Sequence, residues 1–87
     1  MPRVSIENVH DINPLAGYQA AAEFYDAAAD YDYFGYLNSE GYWYIIQERW
    51  DVYPESAVYY YAKGDSDFWT NFAICNTLTY ASYNEVF

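Results

Sequence analysis

Thirteen Asp and Glu residues face only Arg3, Arg49 and Lys63 in this chain of 87 residues, a formal net charge of −10. Self-repulsion at that density opposes every compact state, so any fold must bury enough apolar surface to outweigh it. A domain of this length hides only about 60% of the surface its unfolded chain exposes, and it has no room for a second core. Large side chains must therefore supply the burial. Thirteen Tyr, five Phe and three Trp are available, and each ring removes roughly 150–250 Å² from water when buried. One acidic, aromatic-rich domain over residues 1–87 is expected, with surplus rings left half in water as candidate contact surface.

The same imbalance bounds function. A surface shaped by solubility mixes its signs and carries a net charge of roughly 2–8 in magnitude. Halophilic adaptation is one account of the missing Lys and Arg; a basic partner is the preferred one. Direct binding to nucleic acid or to an anionic membrane is disfavoured. Cys75 is the only cysteine, so no intramolecular disulfide forms and no oxidising compartment is needed. The N-terminal residues show no apolar h-region and no run reaches membrane-spanning length, so a cytoplasmic location is expected.

Residues 1–12 hold an alternating stretch, Val4, Ile6 and Val9, that suits an edge strand. Asn13-Pro14 reads as a helix start, because Asn caps well and Pro suits the first helical position. The Ala-rich run over residues 15–29 predicts a helix, with Leu15, Tyr18, Ala22, Tyr25 and Ala29 recurring every three or four residues. Residues 33–37 and 42–50 then predict an aromatic hairpin around Asn38-Ser39-Glu40-Gly41. Tyr53-Pro54-Glu55-Ser56 is a second turn. Residues 57–62 follow as a strand or a short helix that Gly64 ends. Asp65-Ser66-Asp67 offers caps for a second helix over residues 68–78, with Phe68, Phe72 and Cys75 on one stripe. Residues 79–87 are expected to close as a last strand. The fold class is α+β: a small antiparallel β-meander of three to four strands packed against two α-helices.

On the expected first helix, Gln19, Glu23, Asp26 and Asp30 are spaced four, three and four apart and share a solvent face, with Asp32 just beyond. Acids on the second half of a helix oppose its dipole by roughly 0.3–1 kcal/mol each, and no Lys relieves them. Either this is a solvated face or it is a row of carboxylates that stands in for phosphates. Glu40, Asp51, Glu55, Asp65 and Asp67 form second clusters near turns. Tyr33, Tyr36, Tyr42, Tyr44, Tyr59 and Tyr61 are either core or interface anchors, since Tyr dominates binding hot spots. Rings beside carboxylates suit arginine, which pairs with the acid and stacks on the ring.

Catalytic patterns are missing. His10 is the only histidine, Cys75 reads as a small core residue, and four scattered glycines make no phosphate loop. Asp30-Tyr31-Asp32 and Asp65-Ser66-Asp67 do not match the twelve-residue calcium loop. No enzyme activity, catalytic residue, cofactor or metal is expected.

The carboxylates at Glu23, Asp26, Asp30 and Asp32, the scarcity of basic residues and the abundance of Tyr resemble phage and mobile-element inhibitors, the anti-CRISPR proteins and antirestriction DNA mimics. The resemblance implies a stoichiometric inhibitor in the cytoplasm of a bacterial host. Its acids would occupy the basic DNA-binding surface of a CRISPR effector or other nuclease complex. An immunity protein or antitoxin for a basic nuclease toxin is one alternative, and a carbohydrate-binding module using Tyr and Trp platforms is another. A homodimer through the Tyr-rich sheet is a further expectation.

Overall fold

The computed structural model describes residues 15–51 and 56–87. Over them run four strands, β1 (Tyr18–Asp26), β2 (Tyr31–Asn38), β3 (Trp43–Arg49) and β4 (Val58–Gly64). They are followed by α1 (Phe68–Ala73), a 3-10 turn (Cys75–Thr77) and α2 (Tyr83–Val86). The strands form one antiparallel sheet in chain order, β1-β2-β3-β4. The expected edge strand in residues 1–12, the Asn13-Pro14 start and Tyr53, Pro54 and Glu55 lie outside the described residues.

The central hairpin follows its pattern. Alternate residues of β2 and β3 point to opposite faces, and nearly all of them are buried on both. Asn38 closes the turn by accepting the N–H groups of Glu40 and Tyr42 on its side-chain oxygen, each at 2.9 Å. Gly41 takes a φ of 93° there, a left-handed conformation open to glycine. Residues 58–64 form a strand rather than a helix, paired along β3 from Arg49↔Val58 to Trp43↔Gly64.

The helix expected over residues 15–29 does not form. Tyr18–Asp26 is strand β1, paired with β2 from Tyr18↔Asn38 to Asp26↔Tyr31 around a bulge at Ala21. The physical reason lies in β2, whose backbone is buried and needs a hydrogen-bonding neighbour on each edge. A helix of this length has little stability of its own, and tertiary pairing overrides its propensity. Gly17, at a φ of 84°, and the turn from the Tyr18 N–H to the Leu15 carbonyl (3.0 Å) also set the chain off the helical path. Only the end of the expected helix, Ala27, Ala28 and Ala29, falls in the β1–β2 turn. There the Asp30 N–H donates to the Asp26 carbonyl (2.9 Å), and Asp26 Oδ1 accepts from Ala28 N–H (3.1 Å). Asp30 adopts a φ of 60°, a conformation that Asp tolerates better than most residues.

Two clusters of rings fill the two faces. On the first face Phe34, Tyr36, Tyr44 and Ile46 pack together, with Tyr36 stacked on Tyr44 at 4.8 Å. Phe87 and Tyr83, at the chain end, set their edges against Tyr44 and Tyr61. On the second face Tyr33, Trp43, Ile45, Phe68 and Cys75 pack together. Cys75 is buried there, and burial pushes its thiol up to about 11. The second expected helix is present but stops at Ala73 and tightens into the 3-10 turn. The expected last strand over residues 79–87 shrinks to one bridge, Tyr61↔Ala81, before α2, which Ser82 and Glu85 start with a capping box.

Gly35 lies under this second cluster: a Cβ there would stand 2.6 Å from the Phe68 ring and 2.9 Å from that of Phe72. Gly35→Ala is therefore expected to lower the unfolding free energy by about 1–3 kcal/mol through overpacking. Urea denaturation followed by tyrosine and tryptophan fluorescence measures it, and an unchanged midpoint would contradict the packing described.

Candidate functional site

Strand register builds an unusual rung. Tyr25 of β1 pairs with Asp32 of β2, Asp32 with Glu48 of β3, and Glu48 with Tyr59 of β4. All four side chains stand on the first face, because directly opposed residues share a face. Two acids thus sit side by side between two tyrosines, at the end of the sheet beside the β1–β2 turn. The next rung on that face adds Glu23, opposite Phe34.

Asp32 is 0% exposed and Glu48 1%. Glu48 is well held: the Trp50 indole N–H donates to its Oε1 at 2.9 Å, and the Tyr59 hydroxyl also hydrogen-bonds to it. Neither carboxylate oxygen of Asp32 accepts a hydrogen bond. Burial pushes the Asp32 carboxyl up to about 7, with the charges of Glu48, Glu23 and Asp30 adding to the effect. The nearby Trp50 N–H, committed to Glu48, offsets this only in part. Burial raises Glu48 as well, and partial desolvation raises the otherwise exposed Glu23. Tyr25 closes one side, donating its hydroxyl to Asp30 Oδ1 at 2.8 Å.

A second acidic group forms at the opposite end. Glu40, in the β2–β3 turn, meets Asp65 and Asp67, which follow β4, around a concavity of about 510 Å³. Trp69 rises from its edge, 62% exposed. Asp32 and Leu37, at this end, are five positions apart on β2, about 17 Å along the strand.

The sequence-predicted site residues therefore divide differently from the expected helix stripe. Glu23 is exposed, Asp26 and Asp30 are half-buried, and Asp32 points inward. Asp51, exposed, accepts the Tyr31 hydroxyl at 3.3 Å beside the first cluster. Glu55 lies outside the described residues. Tyr33, Tyr36 and Tyr44 are core rings, 1–3% exposed, and so not available as surface anchors. Tyr61 is half-buried between Tyr83 and Phe87, whereas Tyr59 and Tyr42 are exposed. Sequence reasoning overlooked Glu48, Trp50 and Trp69. A signal for the first existed: Asp32 is in phase with Phe34 and Tyr36, and Glu48 with Tyr44 and Ile46, so both acids share the inward phase of core residues.

Among the described residues no group of three or more His, Cys, Asp or Glu is placed to hold a metal ion. Nor, among them, is any helix long and apolar enough to cross a membrane. Compared with family models, with curated proteins and with solved structures, the chain shows no match.

The raised Asp32 value makes stability depend on pH with a definite sign. An acid whose folded pKa exceeds its unfolded one binds its proton more tightly in the folded state, so stability is lost as pH rises between the two values. Here that window runs from about 4 to about 7. Urea midpoints are expected to fall across it. Asp32→Asn should remove that part of the fall and add roughly 1–3 kcal/mol above neutral pH by deleting an unpaired buried charge. Identical pH profiles for the two proteins would show that Asp32 is not the titrating group.

Proposed function

We propose that this protein is a stoichiometric inhibitor of the DNA-mimic kind, which occupies the basic DNA-binding surface of a CRISPR effector or similar nuclease complex and blocks DNA recognition. The observation that supports this is the disposition of charge. Glu23, Asp26, Asp30 and Asp51 gather at one end of the sheet, and Glu40, Asp65 and Asp67 gather at the other. The two cations among the described residues are turned to rings. Arg49 lies over Tyr60 at 4.0 Å and Tyr31 at 5.3 Å, and Lys63 over Phe87 at 5.4 Å.

A channel that holds DNA presents Lys and Arg to a dense row of phosphates. Carboxylates fixed on a paired sheet offer those cations a competing anion without a flexible chain to order first. Exposed Trp69, Tyr42 and Tyr59 supply ring surface beside the acids, where an arginine can pair and stack together. The work is done by occlusion, one inhibitor per complex, and requires no catalytic group. Burial of Tyr33, Tyr36 and Tyr44 removes three rings from the platform a carbohydrate-binding module would use, which favours the inhibitor reading over that one.

Retention of target DNA by a purified CRISPR effector complex, titrated with this protein, tests the proposal. Inhibition should be near stoichiometric at low salt and weaken at least tenfold between about 50 and 200 mM salt. Reversing Glu23, Asp26 and Asp30 together to Lys should abolish it, and reversing Glu40, Asp65 and Asp67 together should weaken it. Full inhibition by both triple variants would refute the proposed surface.

A further inference from the structure

We infer that the rung of Tyr25, Asp32, Glu48 and Tyr59 is a receptor for one guanidinium group, supplied by an arginine of the basic partner. The inference rests on the reading above only for the source of that arginine; the site itself is argued from its geometry. An acidic cluster alone would not suffice. Here one of its members, Asp32, is wholly buried with both carboxylate oxygens unpartnered, and a buried ionic oxygen without a hydrogen bond is costly enough to call for an occupant.

The surroundings select the kind of occupant. Glu48 is pinned by the Trp50 indole and the Tyr59 hydroxyl, so it contributes fixed negative charge while Asp32 contributes free acceptors. Two adjacent oxygens on Asp32 match the paired N–H groups of a guanidinium, which binds carboxylates bidentately. Tyrosines flank the acids on both sides, Tyr25 on β1 and Tyr59 on β4, and a guanidinium stacks on such rings and gives up its hydration more readily than an ammonium does. Among the described residues, the other titratable groups that act on Asp32 are Glu23 from β1 and Asp30 from the turn, both acidic. A divalent metal lacks a suitable ligand set among the described residues.

The opposite face of the same sheet end shows the chemistry in use. There Arg49 lies between the rings of Tyr31 and Tyr60 and donates its Nε–H to Gln47 Oε1 at 2.6 Å. The first face repeats the tyrosine frame and replaces the central arginine with two acids. Of the rings around the pair, Tyr59 is the most exposed, at 38%, against half-buried Tyr25 and Trp50, so the approach of a guanidinium is past Tyr59.

The probe is methylguanidinium, added to the full chain while the Asp32 carboxyl carbon and the Trp50 indole N–H are followed by NMR. Both signals should shift with half-saturation in the millimolar range. The Asp32 titration midpoint should move down, since a bound cation favours the ionised acid. Methylammonium should act about fivefold or more weakly. Asp32→Asn should lose the Trp50 response while keeping the near-ultraviolet circular dichroism of the folded chain, and Glu48→Gln should weaken it.

No response in the unaltered protein would overturn the inference, leaving a proton as the occupant. An equal response to methylammonium or to Mg²⁺ would overturn it too. So would a midpoint already depressed without ligand and restored by Arg3→Ala, which would make the chain's own arginine the occupant. A null result here alongside salt-sensitive inhibition of the effector removes only this site. Guanidinium binding without such inhibition removes only the effector as partner.

Discussion

Everything in this fold depends on a central hairpin that is buried on both faces. Strands β2 and β3 carry Phe34, Tyr36, Tyr44 and Ile46 inward on one side and Tyr33, Trp43 and Ile45 inward on the other. Such strands cannot tolerate a bare edge, because each unpaired N–H or carbonyl withheld from water costs about as much as a lost hydrogen bond. Two further strands follow as a necessity. β4 pairs along β3, and β1 pairs along β2 whatever its local preference. Once the sheet is complete, α1 covers Gly35 through Phe68 and Phe72. The chain end reaches Tyr44 and Tyr61 through Phe87 and Tyr83.

This dependence explains which parts of the structure could be read from the sequence. The hairpin turn, the start of α1 at Phe68 and the burial of Cys75 are local: each is written in a turn residue, a stripe or an alternation within a few positions. Strand β1 is not local. Its Ala-rich run has helical spacing, and only the needs of β2's open edge make it a strand. One sign was present within the segment itself. Glu23, Asp26 and Asp30 on a helix would oppose its dipole and repel one another without a Lys in reach. That strain counted against the helix as much as it suggested a binding face. In the observed turn two of them are useful. Asp26 accepts a backbone N–H and Asp30 takes the left-handed conformation.

The candidate site was legible in composition and illegible in placement. An excess of acid says that carboxylates must crowd somewhere, and the acids near Glu40, Asp65 and Asp67 do converge from separate loops. It does not say that two of them point inward. Asp32 and Glu48 are sixteen positions apart in the chain, and they meet only because the Asn38–Tyr42 turn fixes the register of β2 against β3. A slip of one residue between the two strands would put Asp32 and Glu48 on opposite faces of the sheet. The turn chemistry of one asparagine thus decides whether the sheet end carries a buried acid pair at all.

The two kinds of carboxylate answer to different physics, and that separates their contributions to any partner's affinity. Acids on the surface act through water and counterions, and beyond about 8–10 Å their pull is screened at physiological salt. They steer a basic partner and set its approach, and they weaken together as salt rises. Asp32 and Glu48 lie behind rings, where counterions reach poorly and a charge is screened far less. A guanidinium seated there is held by direct hydrogen bonds and by relief of the unpaired charge, so its contribution should persist when the surface attraction has faded. Salt-resistant affinity in this molecule, wherever it is found, therefore points to the sheet end that bears Asp32 rather than to the net charge that dominates the sequence.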